Sequence, residues 1–369
     1  MLNKNFNNFY YFNKKIEKKF FLKFKKLFKN NEFIGTKYEE KFEKDFAKYN
    51  KSKYCVSCSN GSDGLILALK TLNLKKDQEV IVPNHTWIST ATSVTSLGGK
   101  IRFCDTKRDD FTIDENKIKN LINNKTVGII AVHLFGYPCN IDIIKKICKT
   151  NKLWLIEDCA QSHFSKFNSV NVGNFGDISV FSFFPSKNLG SIGDAGALIT
   201  NNNKIRIKLK KLRNHGASNS NDFEELGMNS RMNAIHALFL TLKLKEMKSY
   251  AYQKQKLANQ YLESLKKISS IELPIIDRNK VHTWHHFVIK CKNRDKLKSY
   301  LKSKSIVTSI HYPKMLSNTK IYRTTRNKKD LKSSLKYEEE ILSLPINPFY
   351  TTKKTVNLIS KNIKIFYGL

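Results

Sequence analysis

The sequence predicts an α/β protein: a large, mainly parallel sheet covered by helices on both faces, with one antiparallel strand, followed by a smaller C-terminal α/β unit. Three observations lead there. From residue 33 onward, short apolar runs alternate with glycine or polar turns and amphipathic helical patterns. Several of those runs are apolar at successive positions rather than at every second one, as strands beneath two helical layers must be. After Thr200 the pattern changes to long lysine-rich helical stretches, and strand-like runs return only near residue 284.

The elements follow in order. Residues 1–30 mix Phe and Tyr with Lys and read as a basic aromatic N-terminal extension that packs as a helix. The run YCVSCS (54–59) reads as a strand leading into the turn NGSDG and the helix LILALKTL. Further strands are expected at 79–83, 100–105, 127–136, 153–158, 178–184 and 196–200. Between the last two there is no room for a crossover helix, so that pair should be antiparallel. Helical patterns cover 203–214 and 232–267, with Pro274 beyond the second. A strand at 284–291, a helix over KLKSYLKSKS and a strand VTSIHYP (307–313) suggest the smaller unit. NKKDLKSSLKYEEE reads as a polar surface segment before the SLPINPFY turn and a terminal helix. The expected division is 1–30 extension, 31–245 large cofactor-binding domain and 246–369 small domain.

Composition excludes several classes. At 369 residues and 40% hydrophobic content the chain can bury a large core without staples. Its seven cysteines are scattered, with no secretory signal before them, which points to a reducing cytoplasm. Cys55 and Cys58 form a CxxC, but it lies in an apolar run with no second pair at zinc spacing, so it reads as strand packing and no metal is expected. Lys plus Arg number 66 against 31 Asp plus Glu, a formal charge of +35. That charge is spread along helical faces and arrives with an excess of Asn, Ile, Phe and Tyr, the mark of coding bias, so no nucleic-acid partner is expected. No stretch approaches the ~20 apolar residues of a membrane span.

One constellation carries chemistry. Lys187 follows the strand ISVFSFF through Pro185 and Ser186 and precedes a glycine-rich turn, where burial would lower its pKa and favour the neutral nucleophile. Asp158 ends LWLIED, where side chains emerge at the rim of an α/β sheet; a helix N-cap is the competing reading. Glu157 beside it must face the other way. A lysine held as a Schiff base and an acid facing a pyridinium nitrogen are the two protein groups pyridoxal phosphate chemistry needs most. Gln161 lies about one helical turn on, in reach of the cofactor's phenolic oxygen. SNGSDG offers the backbone amides of Gly61, Ser62 and Asp63 to a phosphate, although such turns are often only tight turns. Ser182 adds a hydroxyl at the same rim, and Trp87 could stack on a planar ring or sit in the core.

Taken together, SNGSDG, PNHTW, EDCAQSH, GNFGDISVFSFFPSKNLG, GDAG, LRNHG, GMNSRMNAIHA and HYP resemble the DegT/DnrJ/EryC1/StrS family of sugar aminotransferases, from about residue 32 to the C-terminus. The resemblance implies an aspartate-aminotransferase-like fold type I enzyme, pyridoxal 5'-phosphate as cofactor, and a homodimer with shared active sites. It implies that Lys187 carries the cofactor and shuttles the proton, that Asp158 meets the pyridine nitrogen and that Gln161 lies beside the hydroxyl. It places Ser182, Gly61 and Ser62 at the phosphate, Trp87 on the ring and Asn229 at the phosphate of the other subunit. His311 and Tyr312 match a stretch near the sugar nucleotide, with Arg231 helping there. The reaction implied moves an amino group from an amino acid, by family habit glutamate, to a nucleotide-linked keto-sugar. Relatives with histidine in place of the lysine are dehydratases, so Lys187 favours transamination. KNLGSIGDAG resembles members acting at carbon 3 of dTDP or UDP sugars more than the carbon 4, perosamine-type enzymes. GDAG and His236 depart from commoner family patterns. A non-catalytic regulator on the same fold is the remaining alternative, disfavoured by the joint presence of lysine, aspartate and phosphate turn.

Overall fold

The computed structural model describes residues 10–219, 222–324 and 330–369, so residues 1–9 of the expected extension lie outside the described residues. The first half of the chain alternates α1 (Tyr10–Lys29), α2 (Lys37–Asn50), β1 (Tyr54–Cys58), α3 (Gly61–Thr71), β2 (Glu79–Pro83), α4 (Ser89–Ser96), β3 (Lys100–Cys104), α5 (Glu115–Ile118), β4 (Thr126–Val132), α6 (Ile141–Thr150) and β5 (Trp154–Asp158). Then come β6 (Lys166–Phe167), β7 (Val170–Asn171), β8 (Ile178–Ser182), β9 (Gly196–Thr200), α7 (Asn203–Leu212), β10 (Ala217–Asn219) and β11 (Asp222–Phe223). The rest comprises α8 (Ala234–Leu244), α9 (Met247–Leu265), β12 (Ile271–Glu272), β13 (Lys280–Val281), β14 (Phe287–Cys291), α10 (Arg294–Ser303), α11 (Lys332–Glu340), β15 (Ile341–Leu344) and α12 (Lys353–Phe366).

Seven strands form one sheet in the order β1-β9-β8-β5-β4-β2-β3. β2 pairs parallel with β3 and β4, β4 with β5, and β5 with β8. β9 runs antiparallel to both β8 and β1, as the short connection to β8 demands. The sheet is buried on both faces. One face packs Val56, Val80, Ile130, Ile156 and Val180 against Leu65, Leu67 and Leu69 of α3. The other sets Phe181 and Ile199 against Phe42 and Phe46 of α2, and Ile129 and Leu155 against α6. Cys55 and Cys58, three residues apart on a strand, therefore fall into different clusters and cannot share one site. All seven cysteines are buried and free.

A three-stranded antiparallel sheet, β12-β14-β15, packs with α9, α10 and α12 around Trp284, Phe287, Leu301 and Ile363. Four expectations change here. The helical pattern at 232–267 is two helices, α8 and α9, separated at residues 245–246. The expected strand at 307–313 reduces to one bridge, Ser309 to Ser343, because the strand that pairs with β14 is β15. The supposed polar surface segment supplies α11 and runs directly into β15, whose ILSL is buried at every position. The strand expected from residue 284 begins at Phe287. α1 does pack as a helix: its Ile16, Phe20 and Leu27 sit on Ala234, Leu238 and Phe239 of α8. No described helix is long and apolar enough to cross a membrane.

Candidate active site

The carboxyl ends of the parallel strands share one edge of the sheet, and in an open α/β sheet that edge is where ligands sit. A cavity of about 470 Å3 opens there. It is walled by the residues that follow β1 (Asn60, Gly61, Ser62), β2 (Thr86, Trp87, Ser89, Thr90), β5 (Asp158, Ala160, Gln161) and β8 (Ser182, Phe184, Ser186, Lys187). His285, His286, His311 and Tyr312 close it from the smaller sheet's side.

Asp158 is the last residue of β5, and strand alternation turns it into the cavity while Glu157 turns away. Its Oδ2 accepts the Thr90 hydroxyl at 2.9 Å and its Oδ1 the Ala160 amide at 3.1 Å. No helix follows Asp158: residues 159–165 are turns, so the competing N-cap reading fails and the Ala160 contact closes a turn. Burial raises the Asp158 carboxyl above its ordinary range, against the Ala160 amide, the Thr90 hydroxyl and Lys187, which pull it down. Glu157 accepts the amides of Gly173, Phe175 and Gly176 and pairs with His133 at 3.0 Å. His133, Glu157 and Cys159 are the one group of metal-ligand type among the described residues. With both Glu157 oxygens already engaged, the cluster reads as an anchor for β5.

Lys187 leaves β8 through Pro185 and Ser186 and faces the same cavity as Asp158. Burial lowers its amine to about 8, a shift that the Asp158 carboxylate opposes. Among the described residues, Lys187 is the only lysine or arginine in the cavity wall.

The start of α3 forms the phosphate-sized corner. Asn60 caps the helix by accepting the Asp63 amide at 2.8 Å, which removes that amide from any ligand and leaves those of Gly61 and Ser62. A Cβ at residue 61 would come within 2.8 Å of the Ser182 Cβ, so glycine lets α3 approach the end of β8. The hydroxyls of Ser62 and Ser89 lie 2.7 Å apart at the same corner.

Trp87 is 56% exposed, so its indole serves the cavity rather than the core. Its ring lies 5.4 Å from that of Tyr312. The Gln161 amide nitrogen donates to the Tyr312 hydroxyl at 2.8 Å, and its Oε1 accepts the Phe135 amide at 2.8 Å. His311 stacks on His286 with centroids 3.7 Å apart, and burial first, then neighbouring cations, keeps both rings below their ordinary pKa.

Three expected residues are elsewhere in the chain. Asp63 turns its carboxylate to the Ser59 hydroxyl, outside the cavity wall. Asn229 bridges Asn214, and Arg231 donates to Asn214 Oδ1 at 2.9 Å, beside Arg213 and Lys210 in a separate depression. Both follow from the GMNSR segment pairing with the end of α7 rather than with the strand ends. Thr90, Ser89, Asp194, His285 and His286 were missed. Thr90 and Ser89 had a weak signal, hydroxyls at a helix start just after Trp87, whereas the histidines were hidden in a run read as strand.

The cavity offers a desolvated amine, a buried carboxylate, a helix N-terminus with hydroxyls for a phosphate, and an exposed indole for a flat ring. That set fits pyridoxal phosphate. Comparison with known proteins agrees. The sequence profile of the DegT/DnrJ/EryC1/StrS aminotransferase family matches residues 14–363, so most of α1 lies within the match, which begins earlier than the expected residue 32. The dTDP-3-amino-3,4,6-trideoxy-alpha-D-glucose transaminase of Streptomyces venezuelae is 31% identical over 87% of this chain and 85% of its own. The UDP-N-acetyl-3-dehydro-alpha-D-glucosamine 3-aminotransferase of Acidithiobacillus ferrooxidans is 34% identical over 78% of both chains. The crystal structure of S. venezuelae DesV in complex with a ketimine intermediate superposes with a TM-score of 0.96, covering 99% of this chain and 98% of that one at 27% identity. The chain belongs to the DegT/DnrJ/EryC1/StrS aminotransferase family, and it is a pyridoxal phosphate-dependent sugar-nucleotide aminotransferase.

Proposed function

We propose that the chain moves an amino group from glutamate to carbon 3 of a keto-sugar carried on dTDP or UDP, in the cytoplasm, for cell-surface polysaccharide. The observation that carries the reading is Lys187 and Asp158 facing one cavity from the ends of adjacent strands. The choice of carbon 3 is supported by the 3-amino products and 3-keto substrate named for the two relatives above.

In this reading Lys187 is the cofactor lysine. Bound pyridoxal phosphate supplies an electron sink that lets a carbon-bound hydrogen leave as a proton. Lys187, with an amine lowered to about 8, is uncharged often enough near neutrality to take that proton and return it. Asp158, held by Thr90 and Ala160, keeps a proton on the ring nitrogen. Gly61, Ser62 and Ser182 hold the phosphate, Trp87 covers one ring face and excludes water, and Gln161 faces the phenolic oxygen. His311 and Tyr312 contact the sugar nucleotide. We assign Asn229 and Arg231 to the cavity of a second copy in a homodimer, and we set the boundary between the large and small domains near residue 245.

The test is incubation with glutamate and a panel of 3-keto and 4-keto dTDP, UDP and GDP sugars, read by mass spectrometry. A 3-amino product from a dTDP or UDP sugar is expected. Amination confined to 4-keto sugars would overturn the position assigned, and failure on every sugar would overturn the substrate class.

A further inference from the structure

Lys187 lies in the connection from β8 to β9. Within it the Lys187 amide donates to Phe184 O at 2.8 Å and the Ser191 amide to Phe183 O at 2.7 Å. Two buried amines reach this connection from helices outside the large sheet. Lys243 of α8 donates to Gly190 O at 2.6 Å. Lys254 of α9 donates to Asn188 Oδ1 at 2.8 Å and to His285 O at 3.3 Å. Asn188, the residue after Lys187, in turn donates through Nδ2 to Thr283 O at 3.0 Å.

Lys254 is 3% exposed, and its partners are two oxygens and the Tyr250 ring, none of them a carboxylate. An ammonium group buried among uncharged partners is destabilising, and burial lowers this amine to about 7. An aliphatic side chain would fill the space without that penalty. What the amine adds is a link between the two walls of the cavity: the Lys187 connection on one side and the segment bearing His285 and His286 on the other.

We propose that Lys254 is a positioning residue for this site, fixing the Lys187 connection to the His285 segment through Asn188. The proposal rests on the reading of Lys187 as the reactive amine. Its consequence is that α9, which contributes nothing to the cavity wall, sets how deeply Lys187 is desolvated. The titratable groups bearing on the Lys187 amine are Asp158, His163, His285, His286 and His311; the Lys254 charge also lowers His285 and His286, and Asn188→Ser, which keeps that charge, separates its electrostatic effect from positioning.

The test uses the full-length apoprotein. Lysines are acetylated with acetic anhydride at pH values from about 6 to about 10, and the Lys187 peptide is quantified by mass spectrometry, which yields the midpoint of that one amine. Amide hydrogen exchange of residues 183–191 is followed in parallel. Lys254→Met is expected to raise the Lys187 midpoint by about 1 unit and to speed exchange in the connection roughly tenfold. Asn188→Ser should do the same, the double variant should add nothing further, and Lys254→Arg should restore both readings because guanidinium can donate to the same oxygens. Ile359→Ala, a core truncation in α12, controls for general loosening and should leave both readings in place.

A wild-type midpoint and exchange pattern in Lys254→Met overturns the proposal, as does an equal change in Ile359→Ala. If Lys254→Met does not fold, Asn188→Ser and Lys254→Arg decide alone. Failure of the cofactor reading would show separately, as Lys187 left unmodified by borohydride in the presence of pyridoxal phosphate.

Discussion

The Thr90 hydroxyl donates to Asp158 Oδ2 at 2.9 Å, which ties a helix following β2 to the acid at the end of β5 across the intervening β4. A buried carboxylate is stabilised by each such donor, and Asp158 has this one and the Ala160 amide. Thr90→Val keeps the shape and removes the donor. One charge-assisted hydrogen bond is worth about 1.5 kcal/mol or more, so the Asp158 carboxyl should rise by about 1 unit. The acid limb of the pH profile of kcat/KM should move up by that amount. An unmoved limb would separate Asp158 from the titration that limits the rate.

Gly61→Ala tests the phosphate corner. The new Cβ would meet the Ser182 Cβ at 2.8 Å, closer than side chains pack, so the start of α3 must move from the end of β8. Cofactor affinity, followed by fluorescence titration, should fall about tenfold or more, equivalent to ~1.4 kcal/mol. Unchanged affinity would put the phosphate elsewhere.

Lys187 carries a stability signature. Its amine is at about 8 in the folded chain against an ordinary 10.5. Below about 8 it is protonated in both states, and the buried charge is a penalty. Between about 8 and 10.5 the unfolded chain binds the extra proton, so stability rises with pH as the penalty is relieved. The apoprotein of Lys187→Met should be more stable than the parent near pH 7 by about 2 kcal/mol, allowing for water in the cavity, with the gap closing toward pH ~10. Denaturant unfolding at several pH values measures it, and a gap that does not close contradicts the burial of this amine.

Trp87 is 56% exposed, so Trp87→Ala should change the melting temperature little. Loss of stacking should weaken cofactor binding by about 1 kcal/mol, roughly fivefold, while Trp87→Phe keeps most of it. A large drop in melting temperature with unchanged affinity would return Trp87 to a packing role.

The large sheet was legible because its strands are buried on both faces and so read as apolar runs at every position. The antiparallel β9 followed from chain length alone, since no crossover helix fits between Ser182 and Gly196. Asp158 was legible because it ends β5, where alternation fixes which way its side chain points, and Lys187 because it follows β8 in a proline- and glycine-bearing connection too short for a crossover helix.

What failed to read was whatever depends on partners distant in sequence. β15 went unread, its last two residues taken into the SLPINPFY turn, because only pairing with β14 buries ILSL, and 307–313 looked like a strand although Ser343, in β15, offers it only one bridge. Asp63 seemed aimed at a phosphate until Asn60 took its amide. The amino-acid sequence by itself determined the sheet and brought out Lys187 and Asp158, through periodicity and residue type acting locally. Only the tertiary structure decided how Lys187 is held, because the amine that reaches Asn188 comes from Lys254, 66 residues away on another helix. Burial without a carboxylate partner is a property of that packing, and no local pattern among so many lysines sets Lys254 apart.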